Sequence, residues 1–169
     1  MKESKLDKLL TLYQGKKVLV TGHTGFKGAW LSIWLHQLGA KVIGLALDPE
    51  YPESIFELSG IGDKIKDYRG DIRDKELVNK IITDEKPEIV FHLAAQPLVI
   101  ASYSDPLYTY EVNTLGTAYV LDAMKNSESL ATGIFITTDK VYENKEWIWP
   151  YRESEQLGGY DPYLSLIHI

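Results

Sequence analysis

Short β-branched runs alternate along the chain with longer segments whose apolar residues recur at helical spacing. Lys17-Val18-Leu19-Val20-Thr21 reads as a buried strand and Lys41 to Ala46 as a second. A third is only weakly marked, around Ile65 to Tyr68. Pro87 introduces a fourth, Glu88-Ile89-Val90-Phe91-His92-Leu93, and Ile134-Phe135-Ile136-Thr137 gives a fifth. Between the first two strands, Trp30, Leu31, Trp34, Leu35 and Leu38 predict a helix from Phe26 to Leu38, ended by Gly39. Their spacing assigns Trp30 and Trp34 to the core. Asp71 to Asp84 predicts a helix with Leu77, Ile81 and Ile82 on one face, and Leu107 to Lys125 a long one.

Strands separated by helices imply an α/β fold, a doubly wound parallel sheet covered on both faces. Its crossovers should be right-handed. Such sheets bind ligands outside the carboxyl ends of their strands. Attention therefore falls on the residues just after Val20, Ala46, Leu93 and Ile136.

Composition narrows the class. The chain has 169 residues, 44% hydrophobic and 25% charged, which suits one globular domain with its own core. A net charge of -6 argues against a protein whose main task is gripping nucleic-acid phosphates. No run of ~18 apolar residues predicts a membrane span. Met1-Lys2-Glu3-Ser4-Lys5 leads into mixed charge, unlike a secretory signal. The absence of cysteine removes disulfides, thiolate metal sites and cysteine nucleophiles, and fits a cytoplasmic protein. No metal site is expected.

The first candidate chemistry is the loop Thr21-Gly22-His23-Thr24-Gly25-Phe26-Lys27-Gly28. It follows a strand and opens a helix, the context that a dinucleotide-binding loop requires. Gly22 permits a tight turn, Gly25 a close approach of backbone to a diphosphate, and Gly28 close helix–strand packing. The helix N-terminus offers free N–H groups to phosphates. The alternative is a merely structural strand-to-helix turn. Asp48, twenty residues past Gly28, could accept the ribose hydroxyls of an adenosine and repel a 2′-phosphate, favouring NAD over NADP. It could also be a turn residue before Pro49. Asp71-Ile72 could meet the adenine, or Asp71 could cap a helix. Lys27 is read as a solvated side chain. Trp147, Trp149 and Tyr151 could line a sugar site or a subunit contact, or pack their loop onto the domain.

In this order along the chain, the glycine loop, Leu93-Ala94-Ala95-Gln96-Pro97, Asn113 in Asn113-Thr114-Leu115-Gly116-Thr117, Thr137-Thr138-Asp139-Lys140-Val141-Tyr142 and Asp161-Pro162-Tyr163 resemble the extended short-chain dehydrogenase/reductase superfamily. Within it, GHTGFKGAWL, AAQPLV, TTDKVY, Glu146-Trp147-Ile148-Trp149 and Gly158-Gly159-Tyr160 are similar to the CDP-glucose 4,6-dehydratases. The resemblance implies a Rossmann-type domain, here without the family's C-terminal substrate-binding region. It implies NAD along Gly22, Thr24, Gly25, Phe26, Lys27, Gly28, Asp48, Asp71, Ile72, Leu93, Ala94, Ala95, Gln96 and Asn113. It implies a nucleotide-sugar substrate, CDP-glucose, and homo-oligomers at full length.

The reaction implied is oxidation at C4, loss of water across C5 and C6, and return of the hydride to C6. Tyr163 stands at the family's base position, and Thr138 would share the C4 hydroxyl. Asp139 would protonate the departing 6-hydroxyl and Lys140 is a candidate base at C5, although an ammonium beside Asp139 favours its ionised form. The chain departs from the pattern at Ile167, where the family carries a lysine that activates the tyrosine. His168 is displaced by one residue and is read as a tail residue. Residues 1–163 are thus expected to form the dinucleotide-binding domain and 164–169 a non-native tail, leaving an inactive fragment. Two alternatives are another nucleotide-sugar reaction of the superfamily, such as 4-epimerisation, and a non-catalytic dinucleotide-binding module.

Overall fold

A computed structural model describes residues 5–138, 141–159 and 161–165. Five strands form one parallel sheet: β1 (Lys17–Thr21), β2 (Lys41–Ala46), β3 (Lys66–Arg69), β4 (Ile89–His92) and β5 (Thr132–Phe135), in the order β3-β2-β1-β4-β5. The chain builds outward from β1 to β3, then returns to lay β4 against the other side of β1. The reversal opens a crevice at the carboxyl ends of β1 and β4, where sheets of this type take ligands.

The helices are α1 (Lys5–Tyr13), α2 (Phe26–Gln37), α3 (Ile55–Ser59), α4 (Lys75–Glu85), α5 (Val99–Ser104), α6 (Pro106–Tyr110), α7 (Thr117–Lys125) and α8 (Pro162–Ser165). A π-helical turn, Glu111–Gly116, joins α6 to α7, so the long helix expected from Leu107 to Lys125 carries one widened turn. The α4 helix starts four residues later than expected, because Asp74 caps it by accepting from the Leu77 N–H. Strand pairing starts at Thr132 rather than Ile134, although Ile136 still donates to the His92 carbonyl.

Alternation along the strands divides the core. Leu19, Ile43, Leu45 and Val90 pack with Val78, Ile81 and Ile82 of α4 and Val120 of α7. Val18, Val20, Val42 and Phe91 face the other way, onto Leu35 of α2. The expectation for Trp30 and Trp34 is overturned: both are about half exposed, at 52% and 51%. The buried face of α2 is Gly28, Ala29, Ser32 and Leu35. Trp30 and Trp34 are each two residues from Ser32, about 200° round the helix and so on its outer side. Small residues inside let α2 lie close to the sheet, which leaves the indoles outside.

No helix among the described residues is long and apolar enough to cross a membrane. Among the same residues no group of three or more His, Asp or Glu could hold a metal ion.

Candidate functional site

The loop between β1 and α2 crosses the mouth of the crevice. Gly22 has φ +73, and a methyl group there would meet the Ala94 nitrogen at 2.8 Å. Its glycine is required by conformation and by the closeness of the β4 loop. A methyl group at Gly28 would meet the Gly22 carbonyl oxygen at 2.1 Å, so this glycine lets α2 fold back on its own loop. Gly25 differs. Its φ is an ordinary -73, and a methyl group would meet only the Gly22 oxygen, at 3.4 Å. Nothing among the described residues demands glycine at position 25. Gly25 is also the N-cap of α2 and has no side chain to close it, which leaves first-turn N–H groups for an outside acceptor.

Thr24 is buried and its hydroxyl donates to the Leu47 carbonyl at 3.0 Å, tying the loop to the end of β2. Phe26 and Lys27 are exposed. His23, fully buried beneath the loop, holds Asp67 through Nε2 at 2.8 Å and meets the Phe56 ring edge-on. Burial is the main cause that lowers its pKa below the ordinary value, against the opposing pull of Asp67.

The far wall is the loop after β4. Leu93 and Ala94 are partly buried, and their N–H groups donate to the Thr21 hydroxyl at 3.1 and 3.2 Å. Ala95 is exposed. Gln96 turns inward: its amide nitrogen donates to Thr109 and to the Leu98 carbonyl. The Asn113 carboxamide clamps the Gln96 backbone, accepting from its N–H at 2.8 Å and donating to its carbonyl at 3.1 Å. Both side chains therefore shape the loop.

Sequence reasoning missed His92. Its ring joins Thr21 (Nδ1, 2.7 Å) to Thr117 (Nε2, 2.9 Å). Thr117 spends its only hydroxyl proton on the Asn113 carbonyl at 2.7 Å, so Nε2 must be the donor to Thr117. Thr21, which already accepts from two backbone N–H groups, donates to Nδ1. Neutral His92 satisfies every partner, and burial lowers its pKa to about 4. A histidine ending an otherwise apolar strand was the available signal.

At the carboxyl ends of β2 and β3, Asp48 projects with its side chain 89% exposed, 3.8 Å from Arg69. Asp71 does not cap α4, since Asp74 does. It accepts from the Arg73 backbone and guanidinium, the first cause of its lowered pKa. Ile72 is buried in the core beside Gly116.

Thr138 stands three residues past β5 and is partly buried. Tyr163, also partly buried, rides on α8, which packs against α5 and α6. Asp139 and Lys140 lie outside the described residues, as do Tyr160, Ile167 and His168. The aromatic segment packs on itself. Tyr151 stacks on Tyr142 with centroids 5.5 Å apart, Trp147 tilts over Tyr151, and Trp149 stays 69% exposed.

These features define a Rossmann-type domain with a glycine cradle at its switch point, the class of domain found in the nucleotide-sugar epimerases and dehydratases. A family profile described as GDP-mannose 4,6 dehydratase matches residues 19–165, and the chain belongs to that family. It is 52% identical over 151 residues to a CDP-glucose 4,6-dehydratase of Salmonella typhimurium, a match covering 89% of this chain and 42% of the relative. Among solved structures, an epimerase from Methanothermobacter thermautotrophicus superposes with TM-score 0.80 at 26% identity, over 98% of this chain and 48% of that one. A UDP-glucose 4-epimerase of Stenotrophomonas maltophila, solved with bound NAD, gives TM-score 0.76 at 25% identity, over 89% and 45%. The chain thus spans less than half the length of each of these.

Proposed function

We propose that this chain is the NAD-binding region of an enzyme that converts CDP-glucose to CDP-4-keto-6-deoxyglucose. One observation supports the reading: a glycine cradle at the switch point in which no described residue requires glycine at position 25, so that a diphosphate could lie against its backbone. The substrate rests on the likeness to the Salmonella relative. In this reading the first turn of α2 takes the diphosphate, Asp48 the adenosine ribose, the Asp71-Ile72 segment the adenine, and the Leu93–Gln96 main chain the nicotinamide half.

Bound NAD would supply a hydride acceptor for C4 and the same hydride to C6. The protein supplies the proton chemistry. Tyr163 would accept the C4 hydroxyl proton while Thr138 orients that oxygen. Lys140 removes the C5 proton made acidic by the new ketone, and Asp139 protonates the 6-hydroxyl as it leaves as water. Proton transfer works best with pKa values near the working pH. For Tyr163 that tuning falls to a cation, and Ile167 offers none. Residues 1–163 are taken as the dinucleotide-binding domain, and Ile167 lies past the family match, which ends at residue 165. The chain alone should bind NAD and turn over little CDP-glucose.

The test is an incubation of the chain with NAD and CDP-glucose, alongside a version with lysine at 167 and the Salmonella relative's remaining region. Only the second should yield a 4-keto sugar, read by its absorbance in alkali. A C4 epimer in its place would make the protein an epimerase. NAD binding without turnover in both would make it a binding module. Strong turnover by the 169-residue chain would refute the fragment reading.

A further inference from the structure

Beyond the carboxyl end of β3 the structure holds a guanidinium that the dinucleotide reading does not use. Arg69 is fixed on three sides. Its Nε and Nη2 donate to Asp67 Oδ2 at 3.1 and 2.7 Å, its plane lies 4.8 Å from the centre of the Phe56 ring, and its stem leaves β3. Asp67 is held in turn by His23 beneath the glycine loop. The remaining nitrogen, Nη1, has a long contact to the Leu47 carbonyl at 3.4 Å and faces Asp48 Oδ1 at 3.8 Å. Arg69 is about one-third exposed, so a ligand beside Asp48 can reach Nη1.

We propose that Arg69 is a specificity-determining residue, a preset acceptor for a 2′-phosphate on the adenosine ribose that Asp48 keeps out. The proposal rests on the dinucleotide reading and deepens it. The two residues stand at neighbouring strand ends, and whatever displaces the Asp48 carboxylate meets Nη1. A guanidinium already held over a ring by two donations to one Asp67 oxygen loses little freedom on gripping a phosphate. Counted formally, two acidic side chains, Asp48 and Asp67, face the one guanidinium of Arg69, an excess of one negative charge. That balance favours a ribose with free hydroxyls. Exchanging the Asp48 carboxylate for an amide brings the cluster to neutrality and leaves Nη1 without its acidic neighbour.

The test measures binding of NAD and NADP to the 169-residue chain by calorimetry, reading the ratio of the two affinities. Asp48→Asn should move that ratio toward NADP by about tenfold or more, the size of one charge-assisted hydrogen bond. Asp48→Asn combined with Arg69→Gln should lose most of the gain. Glutamine keeps a stem over Phe56 and a donor for Asp67, and far-UV circular dichroism together with NAD affinity reports on the fold. Asp48→Asn with Arg69→Lys restores the charge and should recover part of the gain. An equal gain in the Arg69→Gln double variant, or none in Asp48→Asn, overturns the proposal while NAD binding keeps the dinucleotide reading. A wild-type chain that binds neither nucleotide sinks both.

Discussion

A methyl group added at Gly28 would sit 2.1 Å from the Gly22 carbonyl oxygen, whereas one at Gly25 would meet that oxygen at 3.4 Å. The two substitutions should therefore separate folding from binding. Gly28→Ala forces backbone apart and should cost about 1–3 kcal/mol in a denaturant titration. Gly25→Ala should leave the unfolding midpoint nearly unchanged and weaken NAD binding about tenfold or more, through lost approach to the diphosphate. His92 gives a pH prediction. Its folded pKa, about 4, lies below the ordinary 6.5, so the unfolded chain binds the extra proton between those values. Its contribution is complete above pH 6.5 and is lost as pH falls toward 4, a total of about 3 kcal/mol for a shift of this size. His23, also lowered, acts in the same direction. Unfolding free energy measured at stepped pH should fall across this window, and His92→Gln should flatten the slope. An unchanged slope would remove His92 from the account.

Helix α2 illustrates what periodicity can and cannot decide. Its existence was legible from Leu31, Leu35 and Leu38, yet the same run offered a second stripe, Trp30 and Trp34, that lies outside. Apolarity marks two candidate faces, and only the sheet selects the one with small residues. The double variant Trp30→Gln/Trp34→Gln should shift stability by less than about 0.5 kcal/mol, as surface positions do, against about 3–5 kcal/mol for each truncated core tryptophan. Thermal melts discriminate easily between these. The long helix makes a related point. Leu107 to Lys125 was readable as helical, but the π turn at Glu111–Gly116 carries Asn113, whose carboxamide clamps Gln96 in another segment. No local pattern encodes that pairing.

For the whole molecule, β5 is one of the two edge strands, and the apolar one. Its strand pairs only with β4 among the described strands, and Ile134 and Ile136 are 37% and 45% exposed. An apolar strand at a sheet edge is a template for further pairing. The isolated chain should self-associate with rising concentration, and Ile136→Lys should suppress this in light scattering without loss of NAD affinity. Equal scattering from both proteins would locate the association elsewhere, for example on the indoles of α2.

The sequence by itself determined the alternation of strands and helices, the parallel sheet, and the glycine loop with its place after β1. These follow from local periodicity and from residues, such as Gly22 at positive φ, whose need is written into a few neighbouring positions. Tertiary structure decided which glycine the fold leaves unexplained, which face of α2 is buried, and that Asp74 rather than Asp71 caps α4. It also decided that Thr21, His92 and Thr117 form one hydrogen-bonded chain and that Arg69 stands beside Asp48. The reason is physical. Propensity and patterning act over neighbouring residues, whereas these pairings join strand ends from separate parts of the chain, and close only once the sheet has set its strand order.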